Sequence, residues 1–205
     1  MSVAAFEAKE TARLEAFSDG VFAFAMTLLV LGLRDPTGAP GTLLIGMLTQ
    51  WPTFFAFVTS FTTILIMWVN HHNMFNYISR IDKPFMFLNG ALLFFITLTP
   101  FTTSLVADHV ISTDARTAAG VYSGTFTLLS IAWNVLWRHA SAENKLLGRH
   151  VSRNEARSIT RQYYVAPLFY SIAFLVSLLN ALASVAVIFL VAAFYAVTAT
   201  TSTRK

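Results

Sequence analysis

An all-α, membrane-embedded fold is what this 205-residue sequence predicts, and three observations carry the prediction. Hydrophobic residues make up 56% of the chain and charged residues only 12%, with a mean hydropathy of +0.62; a soluble domain carries about a quarter charged residues. The apolar residues fall into long runs separated by short polar breaks. The basic residues gather on alternate breaks, the distribution that orients helical membrane proteins.

Each element follows from its local sequence. The opening MSVAAFEAKE carries acids and no apolar core, unlike a secretory signal, so the first apolar segment is expected to remain as an anchor. That segment, residues 14–33, stops at RDPTGAPG, where two prolines and two glycines end any helix. A second span over 43–72 is long enough to cross about 30 Å of hydrocarbon with tilt, and Pro52 is expected to kink it near its start. The third, 84–106, contains Pro100 and follows RIDKP, in which Asp82 is the expected N-cap. The fourth, 117–138, is rich in small residues (Ala118, Ala119, Gly120, Ser123, Gly124) that allow close helix packing in lipid. The last apolar run, Val165 to Thr200, is too long for one crossing at about 1.5 Å per residue, so it divides near Asn180 into spans 161–179 and 182–201 joined by a tight turn. Six helices in one unit, residues 1–205, result.

With both termini cytoplasmic, that side receives Lys9, Arg13, Arg80, Lys83, Arg138, Lys145, Arg149, Arg153, Arg157, Arg161, Arg204 and Lys205. The opposite side receives Arg34 and Arg116, two of the fourteen basic residues. The pI near 9.6 is therefore topogenic, and nucleic-acid binding has no support. Arg149, Arg153, Arg157 and Arg161 recur every fourth residue among polar neighbours, which places them on a cytoplasmic extension of the fifth helix, against anionic headgroups with Glu155 as a partial partner. The absence of cysteine removes disulfides and thiolate metal sites.

Function is sought at Asp19, because an ionisable group in a membrane helix is costly and usually marks a site. Arg13, Ser18 and Asp19 sit at the cytoplasmic end of the first span, where helix two ends in MWVNHHNMF and helix three begins in KPFMFLNGALLF. Trp68, His71, His72, Asn73 and Asn89 thus converge on the same membrane face as a carboxylate that needs donors. A structural network pinning three helices is the reading these residues favour over metal binding; proton transfer through Asp19 and His71 or His72 is the alternative. Adjacent histidines on a helix diverge and no H-E-x-x-H or paired-carboxylate spacing occurs, so neither a catalytic nor a metal site is expected. On a helical wheel Phe24, Leu28 and Leu31 share an apolar stripe, with Thr27 about 60° to its side.

The pattern Arg13, Phe17, Ser18, Asp19, spelled R-x-x-x-F-S-D and followed by GVFAFAMTLLVL, resembles the signature of the transmembrane protein 175 family, the lysosomal potassium channels and their bacterial relatives. The resemblance extends through WVNHHNMFNYISRIDKPFMFLNGALLFF and the six-span layout. It implies a potassium-preferring cation channel of a bacterial plasma membrane. First helices from several subunits would line its pore, with no carbonyl-lined filter. By that resemblance Phe24, Leu28 and Leu31 form a hydrophobic constriction and Thr27 bears on selectivity. Arg13, Phe17, Ser18, Asp19, Trp68, His71 and Asn89 form a packing network behind the pore. Phe24 departs from the family's usual isoleucine or leucine. One copy of the motif cannot enclose a pore, so a homo-oligomer is required, and the family implies a homotetramer. No cofactor is implied; potassium is the permeant ion.

Overall fold

The computed structural model describes residues 3–36 and 38–202, with side chains described from 6 to 195 apart from 37. Arg204 and Lys205, expected among the cytoplasmic charges, lie outside the described residues. Helix α1 (Val3–Leu28) tightens into a single 3-10 turn at Leu29–Gly32 and ends with Leu33 in extended conformation. It begins well before residue 14, because Ala8, Lys9, Glu10 and Ala12 are strong helix formers that carry the helix out of its apolar segment.

The single span expected over 43–72 is instead two helices, α2 (Leu43–Thr49) and α3 (Trp51–Phe75). Gln50 leaves the helical path with φ −85° and ψ 15°. Pro52 occupies the first turn of α3, where its missing N–H would have had no intrahelical partner. The Thr53 and Phe54 amides close on the Gln50 carbonyl at 3.0 and 3.2 Å. Here proline starts a helix; it does not kink one.

Helix α4 (Lys83–His109) is followed by α5 (Ala115–Ser141), α6 (Arg153–Tyr163), α7 (Val165–Ser177) and α8 (Ala181–Ser202). Ser152 caps α6, its hydroxyl accepting the Glu155 amide at 3.1 Å. Arg149 therefore lies in the preceding turn, and the expected four-arginine row reduces to Arg153, Arg157 and Arg161 on one exposed face of α6. Between α6 and α7 only Tyr164 intervenes, with helical φ −65° and ψ −22°. Pro167 cannot donate to the carbonyl one turn back, that of Tyr163. The Asn134 side-chain amide of α5 donates to that carbonyl at 2.9 Å instead. Between α7 and α8 the chain turns at Asn180, whose side-chain oxygen accepts the Ala183 amide at 2.9 Å.

Helix α5 lies at the centre, burying Tyr122, Phe126, Leu129, Leu136 and Trp137. It joins one core, shared with α1, α3 and α4 around Phe22, Ile64, Leu92 and Ile96, to a second, shared with α7 and α8 around Tyr170, Ala173 and Ile188. Against α7 it presents Gly120 and Gly124, where an added methyl would make ordinary van der Waals contact, 3.5 Å from the Ser177 hydroxyl and the Phe174 ring. The buried hydroxyls of Ser60 (α3) and Tyr122 (α5) are 2.8 Å apart, and those of Ser60 and Thr103 (α4) are 2.7 Å apart. In lipid such groups must find partners within the protein.

The loops after α3 and α5 clamp one end of the bundle. An isolated antiparallel bridge pairs Ile78 with Leu147, and Arg80 Nε donates to the Lys145 carbonyl at 2.8 Å. Asp82 caps α4 by accepting the Phe85 amide at 2.8 Å, as its position in RIDKP predicts. Its carboxylate also lies 2.9 and 3.1 Å from His139 Nε2 and 3.6 Å from Lys145 Nζ. Partial burial opposes the charge, but the Phe85 amide, the His139 ring and the Lys145 ammonium outweigh it and hold the Asp82 carboxyl below its ordinary value. A carboxyl more acidic folded than unfolded adds stability that is complete above its unfolded pKa and is lost as pH falls through the folded value. The melting temperature is expected to drop below about pH 4. In Asp82→Asn, which keeps a capping oxygen but no titrating charge, that acid-side drop should be smaller. Melting curves of both proteins between pH 3 and 7 check this.

Candidate pore helix and its supporting network

The two faces of α1 meet different surroundings. Ser18, Phe22, Ala25 and Leu29, spaced four, three and four residues apart, are buried against the bundle. On the other side Phe6, Arg13, Phe17, Gly20, Phe24, Thr27 and Leu31 are exposed; Phe17 and Phe24 are each 63% and Leu31 is 72% accessible. With Glu10 between Phe6 and Arg13, this outward row alternates steps of four and three from residue 6 to 31, an average repeat of about 3.5. Leu28 is half-buried at its edge. Thr27 Oγ1 donates to the Phe24 carbonyl at 2.8 Å, which commits its proton and leaves oxygen lone pairs on the exposed side.

Behind that row, polar side chains pin α1 to α3 and α4. The Ser18 hydroxyl donates to the Leu14 carbonyl at 2.8 Å and accepts Asn89 Nδ2 at 2.9 Å. Asn89 must then turn its carbonyl oxygen to His71 Nε2, 2.9 Å away, and a carbonyl only accepts. The chain of bonds thus assigns the proton of neutral His71 to Nε2. Ser18, His71 and Asn89 are fully buried, and His71 Nδ1 has no hydrogen-bond partner. The imidazole sits among the rings of Phe75, Phe22 and Trp133, at centroid distances of 4.8, 5.2 and 6.1 Å. A second link runs from Trp68 Nε1 to Asp19 Oδ1 at 2.9 Å, and a third joins His72 Nδ1 to Glu15 at 2.9 Å.

Of the residues expected in this network, Ser18, Asp19, Trp68, His71 and Asn89 come together. Arg13 and Phe17 do not: Arg13 pairs with Glu10 at 3.1 Å on the exposed face, and Phe17 points away from the bundle. At about 100° per residue Arg13 and Phe17 lie roughly 140° and 100° round the helix from Ser18, off the flank that meets the bundle. Asn73 is exposed. Glu15 was missed by sequence reasoning, although it lies one turn before Asp19 and so on the same flank, a spacing that could have found it. Among the described residues no three His, Asp or Glu side chains gather into a metal-holding group.

The family model described as endosomal/lysosomal potassium channel TMEM175 matches residues 13–100. A protein of Chamaesiphon minutus named a potassium channel is 44% identical over 197 residues, 95% of this chain and 97% of that one. The chain belongs to the TMEM175 family. A crystal structure of a lysosomal potassium-selective channel TMEM175 homolog from Chamaesiphon minutus superposes with a TM-score of 0.85 at 42% identity, covering 93% of this chain and 98% of that one. The endosomal/lysosomal proton channel TMEM175 of Gallus gallus is 34% identical over 105 residues, 47% of this chain and 21% of that longer protein. TMEM175 is a family of ion channels and not of enzymes. Among the described residues three helices, Phe6–Gly32, Trp51–Phe75 and Lys83–His109, are long and apolar enough to cross a membrane, and the chain is an integral protein of the bacterial plasma membrane. In this TMEM175 chain the R-x-x-x-F-S-D motif divides between the two faces of α1: Ser18 and Asp19 turn inward, Arg13 and Phe17 outward.

Proposed function

We propose that the chain is one subunit of a potassium-preferring cation channel, a homotetramer whose four α1 helices surround the pore. The unpartnered heptad row on α1 carries this reading. It runs the length of the helix, faces away from both cores, and is held in register from behind by buried hydrogen bonds. A repeat of about 3.5 residues is the one by which helices wind around a common axis. Phe24, Leu28 and Leu31 then form apolar layers that exclude water from a narrow neck, a barrier that opens by modest rotation or dilation. Thr27 offers its hydroxyl oxygen to a dehydrating cation one turn from the Phe24 ring. Arg13 and Phe17, outward on the same row, would complete the packing between subunits.

The chain then makes six crossings with both termini cytoplasmic. Helices α5, α7 with the end of α6, and α8 add to the three long apolar ones, and residues 1–205 form a single channel subunit. The cytoplasmic face carries the clamp around Asp82, and Arg153, Arg157 and Arg161 on α6 lie against anionic headgroups there. No cofactor is needed; potassium is the permeant ligand.

Flux of potassium and sodium from liposomes holding the purified protein tests this reading. Native protein is expected to pass potassium in preference to sodium, and Thr27→Val to cut that preference by roughly three- to tenfold, the worth of one hydroxyl contact. Flux with no cation preference in the native protein, or none at all, would overturn it.

Proton conduction is the second reading, favoured by the buried His71 with its open Nδ1 lone pair, alongside Asp19 and His72. Under it, His71→Gln abolishes acid-driven flux while potassium flux and assembly persist.

A further inference from the structure

We infer that Glu10, outside the R-x-x-x-F-S-D motif, is a conductance determinant at the cytoplasmic mouth of the pore; the inference rests on the channel reading above. Helix α1 continues past its apolar segment to Val3, so the row that carries Phe24 and Phe17 extends to Glu10 and Phe6 without a break in its spacing. At about 100° per residue, Lys9, Glu10 and Arg13 are the charged residues within about 50° of the row's centre, whereas Glu7, Glu15 and Asp19 lie more than about 100° away. Glu15 and Asp19 are moreover held by His72 and Trp68 of α3. Glu10 is thus the single acid on a face that bears two cations per subunit.

Its carboxylate is placed to act on one of them. Glu10 Oε1 lies 3.1 Å from Arg13 Nη1, and both groups reach solvent, with 34% and 72% of their side chains accessible. Rings of Arg13 and Lys9 without an acid would repel an entering cation, and a narrow mouth with low-dielectric walls magnifies such a field. Glu10 offsets the Arg13 charge on the path to the Phe24 layer. Four copies around an axis can also exchange partners, each Glu10 meeting the guanidinium of its own or the adjacent subunit, so the offset holds at any rotation of α1.

The expected results are specific in salt and in position. In planar bilayers, Glu10→Gln should lower potassium current entering from the side of the α1 N-terminus by about threefold at 0.1 M salt, and by much less at 1 M, where the screening length falls from about 10 to about 3 Å. Glu7→Gln, off the row, should conduct as the native protein does. Because the chain has no cysteine, Glu10→Cys can be titrated with charged thiol reagents. A sulfonate-bearing methanethiosulfonate should restore the current, and an ammonium-bearing one should depress it further. Equal currents for native and Glu10→Gln at 0.1 M salt, an equal loss in Glu7→Gln, or no response of Glu10→Cys to either reagent would each overturn the inference while leaving the channel reading intact. A native protein that carries no current overturns both.

Discussion

Replacing Phe24 by alanine is expected to raise potassium flux through the reconstituted protein about tenfold, which corresponds to a barrier lowered by about 1.4 kcal/mol. The ring is 63% exposed in the protomer and points along the same face as Thr27 and Leu31. In the proposed tetramer four such rings around an axis would make a neck too narrow and too apolar to hold a continuous water column, and truncation to a methyl would widen and wet it. Folding should hardly notice, because a substitution on an unpartnered surface usually stays within about 0.5 kcal/mol. Phe22 provides the contrast two residues earlier: it is fully buried against the bundle, and Phe22→Ala should cost about 3–5 kcal/mol through the cavity it leaves. Flux from liposomes and melting curves on the same two preparations separate the effects. Unchanged flux in Phe24→Ala would remove the constriction from this residue.

The second large effect is expected on stability, in Asn89→Leu. Asn89 links His71 Nε2 to the Ser18 hydroxyl, and all three residues are fully buried. Leucine would strand the Nε2 proton among the rings of Phe75, Phe22 and Trp133, while Ser18 keeps its bond to Leu14. The loss should be about 2–4 kcal/mol, the cost of one orphaned buried donor plus the missing bonds. Removing both ends of the interaction tests the cause. In His71→Phe combined with Asn89→Leu no donor is stranded, and a large part of the lost stability should return. Thermal unfolding followed by size-exclusion chromatography reads both variants, and additive losses would assign the effect to packing instead. The same pair bears on proton conduction, because a double variant that assembles and passes potassium but loses acid-driven flux would move that role onto His71.

Tyr163 and Asn134 illustrate why the sequence is silent at some positions. Pro167 announces a missing bond, but nothing local says which side chain will fill it; the donor lies on a different helix, 29 residues earlier. Pro52 carries an ambiguity of a different kind. In an apolar run a proline reads equally as a kink or a start, and the choice falls to Gln50, whose backbone leaves the helix one residue before α3 begins. The arginine row is legible as a period of four, yet Ser152 caps the helix after Arg149, so one member falls outside it. Asp82 and Asn180 were legible because a cap acts on amides two or three residues away.

By itself the sequence determined that the chain is helical and lives in a membrane, since composition, run length and the placement of basic residues depend on solvent and not on partners. It also determined the motif that places the chain in the TMEM175 family. Which half of that motif faces the bundle was decided by tertiary structure alone. Ser18 and Arg13 are both polar residues near the end of one apolar segment, and hydropathy cannot rank them. Asn89 of α4 and Trp68 of α3 can, because they reach only the flank on which Ser18 and Asp19 stand. Fixing that flank turns Arg13, Phe17, Phe24 and Thr27 outward, and it is this rotation of one helix, set by the hydrogen bonds from Asn89 and Trp68, that makes a face available to line a pore.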